Sequence, residues 1–364
     1  MKKTERAQII NLLNVPKIGP QRVRNLLAHF EHGENVFNAS KKELCQRSGV
    51  DIGLAEAILK YKDFGFGLEQ IEKAEKKNVT IYTIWDEDYP LLLKKIYDPP
   101  VLLYTIGQPL KKEEDAVAIV GTRKLTPYGR SMTKAITADM NAAQITVVSG
   151  LARGIDTIAH KETVKNKSRT IGVLGCGIDV VYPSENRKLY QDICAAGTII
   201  SEFKFGTKPN ASNFPQRNRV ISGLAHATVV VEAGHKSGAM LTAFNAIDQN
   251  RDVFAVPGRA TDAQSKGTNR LIRNGAFPLE WGKQIIEQIQ PCLFNTHQPL
   301  QEKIDLHLSD EERILLKCLN HQPQHIDEIV STSGVHLTKT LTLLLGIELK
   351  GAVIQLSGKQ FVRA

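Results

Sequence analysis

Six short, nearly uninterrupted apolar runs punctuate the middle of the chain: Ala116–Val120, Ile145–Val148, Thr170–Leu174, Thr198–Ser201, Thr228–Val231 and Val253–Val256. Runs of this length, rich in Val and Ile, predict strands covered on both faces, as in a parallel sheet. Helix signals fall between them, such as Thr126-Pro127 (N-cap and first-turn proline) and Pro183-Ser184-Glu185. The alternation predicts a doubly wound, Rossmann-like α/β sheet, whose ligands sit beyond the carboxyl ends of its strands.

The periodicity changes on either side. Before about residue 86, Ile10, Leu12, Leu13 and Val15 lead into Pro16-Lys17-Ile18-Gly19-Pro20, and Val23, Leu26, Leu27 and Phe30 follow at helical spacing. This resembles a helix-hairpin-helix (SAM-like) domain, with an echo in Ser48-Gly49-Val50 followed by Ala55, Ile58 and Leu59. Its glycine turn can offer amides to a phosphate, or the segment can be a helical protein-interaction bundle; both readings stay open. After Pro291 the chain reads as a linker to about residue 306. Ser309-Asp310-Glu311-Glu312 then starts the first of three helices, and Ala352–Leu356 and Phe361–Val362 close a hairpin. That pattern predicts a winged helix. Its third helix is crowded by Leu341, Leu343, Leu344 and Leu345, with only Lys339 and Lys350 as cations, which favours a protein-protein or autoregulatory role over reading DNA. The expected domains are therefore residues 1–86, 87–290 and 307–364, with 291–306 as the linker.

At 364 residues the chain exceeds one ordinary core. Its 42% apolar and 23% charged content is that of a soluble globular protein. A net charge of +9 fits a nucleic-acid ligand without demonstrating one. The five cysteines are scattered and odd in number, which argues against structural zinc or a disulfide framework and for a reducing cytoplasm. No signal peptide or membrane-spanning run is evident, so no membrane role is expected.

Candidate chemistry gathers at the strand ends. The first run opens into Gly121-Thr122-Arg123-Lys124, the second into Ser149-Gly150-Leu151-Ala152-Arg153-Gly154-Ile155-Asp156. A strand ending in glycines before a helix is a common way to free amides for an anion. Asp156 reads as an N-cap or a partner for Arg153 rather than a ligand group, and His160 as packed. Gly175-Cys176-Gly177 is a third tight turn, its lone cysteine a small buried residue. Glu232-Ala233-Gly234-His235-Lys236-Ser237-Gly238 supplies a fourth donor cluster, with Lys236 as a cation. Between Phe203 and Arg219 stand Lys204, Lys208, Arg217 and Arg219 and no acidic residue. Arg217 and Arg219 suit bidentate phosphate contact, Asn218 is a donor and acceptor, and Phe214 can stack on a base. Arg219 has a second reading, as an internal salt-bridge residue.

Ala118 to Arg123, Val148 to Asp156 and Phe214 to Arg219 are similar to the signature blocks of the bacterial DNA-processing protein A (DprA/Smf) family. Tyr89-Pro90, Asp98 to Tyr104 and Val256-Pro257-Gly258 match its flanking blocks. The resemblance implies a cytoplasmic, non-enzymatic binder of single-stranded DNA in natural transformation. Such a protein protects incoming strands, loads the RecA recombinase, forms a homodimer, has single-strand-binding protein as a further partner, and needs no cofactor or metal. By motif position its DNA site comprises Gly121, Thr122, Arg123, Lys124, Ser149, Gly150, Arg153, Gly154, Lys208, Phe214, Arg217, Asn218, Arg219, Lys236, Ser237 and Gly238. Candidates for the dimer contact are the helix from Ala239 to Ile247 and the Leu271-Ile272 segment, although Leu241 and Phe244 read first as helix-on-sheet packing.

The alternatives are a nucleotide-binding or phosphoribohydrolase-like enzyme and a transcription regulator working through the tail. The first would need a P-G-G-x-G-T-x-x-E block, absent here. Glu232, in the corresponding stretch, reads as closing a helix amide cluster or binding an arginine. The second leaves the basic strand-end loops unexplained.

Overall fold

The computed structural model describes all residues except 47–48, 236, 294–308, 320–323, 351, 357–359 and 364. Most of the expected linker, Lys236 and Ser48 thus lie outside the described residues. Residues 1–294 form one compact unit and 295–364 a second.

In the first unit a nine-stranded sheet has the order β1-β2-β6-β5-β4-β3-β7-β8-β9. The strands are β1 (Thr80–Thr83), β2 (Leu102–Gly107), β3 (Ala116–Val120), β4 (Thr146–Ser149), β5 (Thr170–Leu174), β6 (Thr198–Ser201), β7 (Ala227–Val230), β8 (Asp252–Ala255) and β9 (Phe277–Pro278). All six expected strands are present to within one residue. From β6 to β9 the pairing is parallel, whereas β1 and β2 add an antiparallel edge. Order reverses between β3 and β7, so a crevice opens there beyond their carboxyl ends.

The sheet is covered on both faces, and strands β3 to β8 are buried at nearly every position. Ala116, Ala118 and Val120 of β3 point into one core with Val220, Ile221, Met240 and Ala243 from the Asn213–Gly223 and Gly238–Asp248 helices. The alternate residues Val117 and Ile119 enter the opposite core with Ile136 and Met140 of the Pro127–Ala142 helix and Ala159 of the Ile155–Lys165 helix. This two-residue alternation places helices on both sides of the sheet.

The N-terminal helices are not a separate body. Ile10, Leu12, Leu54 and Ile71 share a core with Leu102 and Tyr104 of β2 and with Leu174 and Ile199. Residues 80–83, expected within the helical segment, form the edge strand β1. The hairpin itself is there: Lys3–Asn14 and Pro20–Phe30 flank a turn in which Lys17 has φ 66°. Arg22 fastens it to the second hairpin, donating from Nε to the Gly49 carbonyl (3.1 Å) and from Nη1 to that of Lys17.

The second unit has helices Asp310–Lys317, Ile326–Ser333 and Leu337–Leu349 and strands β10 (Gln324–His325), β11 (Val353–Leu356) and β12 (Gln360–Arg363) in the order β10-β12-β11. This is the expected winged helix. Ser309 and Glu312 form a reciprocal capping box. Lys339 and Lys350 pair with Glu311 (2.6 Å) and Glu312 (2.7 Å) of the same unit, so both cations are partly neutralised.

Candidate nucleic-acid interface

A cleft of about 550 Å³ lies at the β3/β7 crevice. Gly121, Thr122 and Arg123 enter it from the loop after β3; Phe214, Pro215, Arg217 and Asn218 from the Asn213–Gly223 helix; Ser237 and Gly238 from the next helix start. A smaller hollow adjoins it, bounded by Arg123, Gly150, Arg153, Tyr182 and Phe214. Arg123 and Phe214 line both, forming the divide between them.

Arg217 is 5% exposed. Its Nη1 donates to the carbonyls of Gly150 (2.6 Å) and Val173, and its Nε to Asn218 Oδ1 (3.2 Å). Burial pushes its pKa down to about 10, against the pull of Asp156, so it stays charged at neutral pH. Asn218 in turn donates to the Gly238 carbonyl at 3.2 Å, joining the two helices. Gly150 has to be glycine, because a Cβ there would sit 2.6 Å from the Arg217 guanidinium. Gly175 admits the Phe214 ring in the same way, at 2.9 Å.

Phe214 is half-buried and flanked by cations, with the Arg123 and Arg217 guanidinium carbons 5.4 and 5.8 Å from its ring centroid. Both lie within cation–π range. Tyr182, unforeseen from the sequence, sets its ring 5.7 Å from that of Phe214 and remains 39% exposed. Its position before Pro183, in the loop after β5, was the available signal.

Several strand-end amides are spent inside the protein. Asp156 accepts from Gly150 N (3.2 Å) and Ala152 N (3.4 Å). Thr122 N donates to the Glu232 carbonyl, Gly177 N to that of Thr207, and Ala233 N to that of Gln264. The expectation that the glycine loops free their amides for an anion is therefore corrected for Thr122, Gly150, Ala152, Gly177 and Ala233. Asp156, on the first turn of its helix, reaches back over the loop and takes the amides itself. Arg153, expected as its partner, instead forms a two-bond pair with Glu185.

Other expected residues have structural positions. Ser149 Oγ donates to the Ile119 carbonyl at 2.6 Å, tying β4 to β3. Gly154 takes φ 83°, and a Cβ on it would strike the Thr122 carbonyl at 2.2 Å. Lys124 and Lys208 are exposed but line neither hollow. Arg219 is the clearest departure. Two residues beyond Arg217 it points the other way, as helical geometry requires, and binds the largely covered Glu202, with Asp98 3.8 Å away. Its internal reading is the one the geometry matches. Glu232, 3% exposed, accepts from Thr126 N (3.0 Å) and from Thr126 Oγ1, closing the start of the Pro127–Ala142 helix. His160 and Cys176 are buried, and burial raises the thiol pKa to about 11. Leu241 and Phe244, read first as core, are 45% and 38% exposed; Ala239, Met240, Ala243 and Ala246 fill the core instead.

Asp156 generates a pH prediction. Its ordinary pKa of 3.8 is raised to about 6 by burial. The folded state then binds the proton more tightly than the unfolded one, so the group's contribution to stability falls as pH rises through this interval. The unfolding free energy of wild type minus that of Asp156→Asn is expected to drop by on the order of 2–3 kcal/mol between about pH 4 and pH 7. Denaturant titrations across pH measure it, and a flat difference would contradict the buried carboxylate.

Residues 80–290 match the model of DNA recombination-mediator protein A, 300–359 the DprA winged helix domain and 9–61 a SAM-like helix-hairpin-helix tandem. Protein Smf of Synechocystis is 33% identical over 398 aligned positions, covering all of both chains. DNA processing protein DprA of Streptococcus pneumoniae is 34% identical, over 73% of this chain and 93% of its own. The X-ray structure of the Streptococcus pneumoniae protein superposes with a TM-score of 0.67 at 31% identity, covering 79% of this chain and 98% of that one. A structure concerned with the single-stranded DNA binding mode of DNA processing protein A from Helicobacter pylori gives 0.53 at 30% identity, covering 59% and 96%. With a hairpin tandem, a central domain and a winged helix in the same order, the chain belongs to the DNA recombination-mediator protein A (DprA/Smf) family.

Proposed function

We propose that this protein binds single-stranded DNA along the carboxyl edge of its sheet and passes it to the RecA recombinase during natural transformation. The observation that carries this reading is the exposed Arg123 beside the half-exposed Phe214, braced from below by buried Arg217. A cation next to a partly exposed aromatic ring suits a phosphate and its neighbouring base together. Bases stacked inside a duplex cannot reach such a ring, so the strand is single. The concern of the Helicobacter pylori structure with single-stranded DNA supports the ligand, and the family's description as a recombination mediator supports the RecA step. Protection of incoming strands, exchange with single-strand-binding protein and a cytoplasmic setting belong to the same reading. Among the described residues no helix is long and apolar enough to cross a membrane.

The phosphoribohydrolase-like reading has less support, because Glu232 is committed to a helix start. We read the protein as a binder, not an enzyme. Lys124 and Lys208 are proposed as outlying phosphate contacts, Lys236, outside the described residues, is proposed as a further one, and Arg219 is not part of the proposed site.

A dimer would hold two such edges on one strand and so raise avidity. Leu241, Phe244 and Ile247 form an exposed apolar stripe on the Gly238–Asp248 helix and are its proposed contact.

Anisotropy titrations at several salt concentrations test the ligand. Arg123→Ala should weaken single-strand binding and flatten the salt slope by about 0.7. Arg219→Ala should leave that slope intact yet lose about 3–5 kcal/mol of stability as a buried pair is broken. Duplex binding equal to single-strand binding, or the opposite pattern in the two variants, would sink the reading. For the dimer, Ile247→Arg should give a monomer by light scattering that loses affinity for long strands and keeps it for short ones. A wild-type monomer indifferent to strand length would contradict it.

A further inference from the structure

Behind the first turn of the Asn213–Gly223 helix lies another cavity, of about 290 Å³, that the DNA cleft does not include. Leu13 and the hairpin turn Ile18-Gly19-Pro20 form one wall, and Leu102 and Tyr104 of β2 another. Phe66 and Phe203 add aromatic surface, while Asn14, Lys204, Thr207 and Gln216 supply polar groups. We propose that this cavity receives a nucleobase from the strand whose phosphates cross the neighbouring cleft, an inference that rests on the single-strand reading above.

Continuity comes first. Pro215 lines the cleft and Gln216 lines the cavity, and consecutive Cα atoms are about 3.8 Å apart. Both hollows also open at strand carboxyl ends: Glu202, Phe203 and Lys204 follow β6, three strands from β3 along the same edge. At about 4.8 Å per strand this is within a few nucleotides' reach.

The chemistry selects a base over a phosphate. Most of the wall is apolar or aromatic, and the Glu202 carboxylate lies at the cavity, which disfavours an anion. Thr207 and Gln216 carry donor and acceptor atoms that the polar edge of a base can use. Lys204 Nζ sits 5.0 Å from the Phe66 ring centroid and 2.6 Å from Asn14 Oδ1, so a cation and an amide flank the aromatic surface. The volume lies at the small end for ligand pockets, suiting one flat heterocycle better than a peptide segment. With donors and acceptors both present, the cavity would accept different bases.

The test compares two probes on the full chain: an oligothymidylate and a fully abasic oligomer of equal length. Gln216→Trp plugs the cavity from an exposed helix position, and Phe203→Ala removes an aromatic wall; circular dichroism checks folding. Each variant is expected to lose about 5- to 100-fold in affinity for the oligothymidylate, with the abasic oligomer bound as by wild type. Arg123→Ala should weaken both probes. Variants that leave oligothymidylate binding unchanged, or weaken both probes equally, overturn the proposal and give the cavity to another occupant. Wild type that binds oligothymidylate no better than duplex defeats the single-strand reading itself, and this proposal with it.

Discussion

The buried guanidinium of Arg217 is the point on which the architecture of the candidate site depends. It grips the carbonyls after β4 and within β5, steadies Asn218 and lies beneath Phe214. Burying a charge is costly unless it is paired and hydrogen-bonded. Here carbonyls, an amide oxygen and the nearby Asp156 offset that cost. The arrangement then dictates its neighbours: glycine at 150 because the guanidinium occupies the Cβ position, and glycine at 175 because the Phe214 ring does. Asp156 completes the scheme by holding the loop amides that Arg217 does not touch.

This division of labour separates residues that build the edge from residues free to meet a ligand. Arg217, Ser149, Gly154, Glu232 and Asp156 are internal in that sense, each with named protein partners or a filled Cβ position. Arg123, Phe214 and Tyr182 keep exposed surface over them. A rigid base beneath a few accessible cations and rings lowers the ordering cost of binding, since little of the site remains to be arranged.

The strands were legible because each is apolar at nearly every position, a pattern that only a sheet covered on both faces requires. Edge strand β1 was less so: Thr80-Ile81-Tyr82-Thr83 is short and half polar, and its partner lies about twenty residues on. The sheet-borne core of the N-terminal helices was hidden as well, because periodicity shows that a face is buried and not what covers it. Within the candidate site, the signature residues gather at one edge of the sheet, but their spacing does not show their duties. Nothing in the spacing of Arg217 and Arg219 tells which one faces the cleft; the helical turn and the acidic pair Asp98 and Glu202, distant in sequence, decide it. Asp156 has a structural role, as expected, but not as the partner of Arg153. Its partners are amides, which carry no sequence signature.

The central claim is that a single strand lies over the β3/β7 crevice, its phosphate at Arg123 and a base against Phe214. A crystal structure of the full chain with a short oligothymidylate tests this most directly. The account predicts a phosphate oxygen within hydrogen-bond reach of the Arg123 guanidinium and a thymine ring stacked on Phe214, with the Arg219–Glu202 pair intact. DNA bound at a different face, with Arg123 and Phe214 untouched, would contradict it.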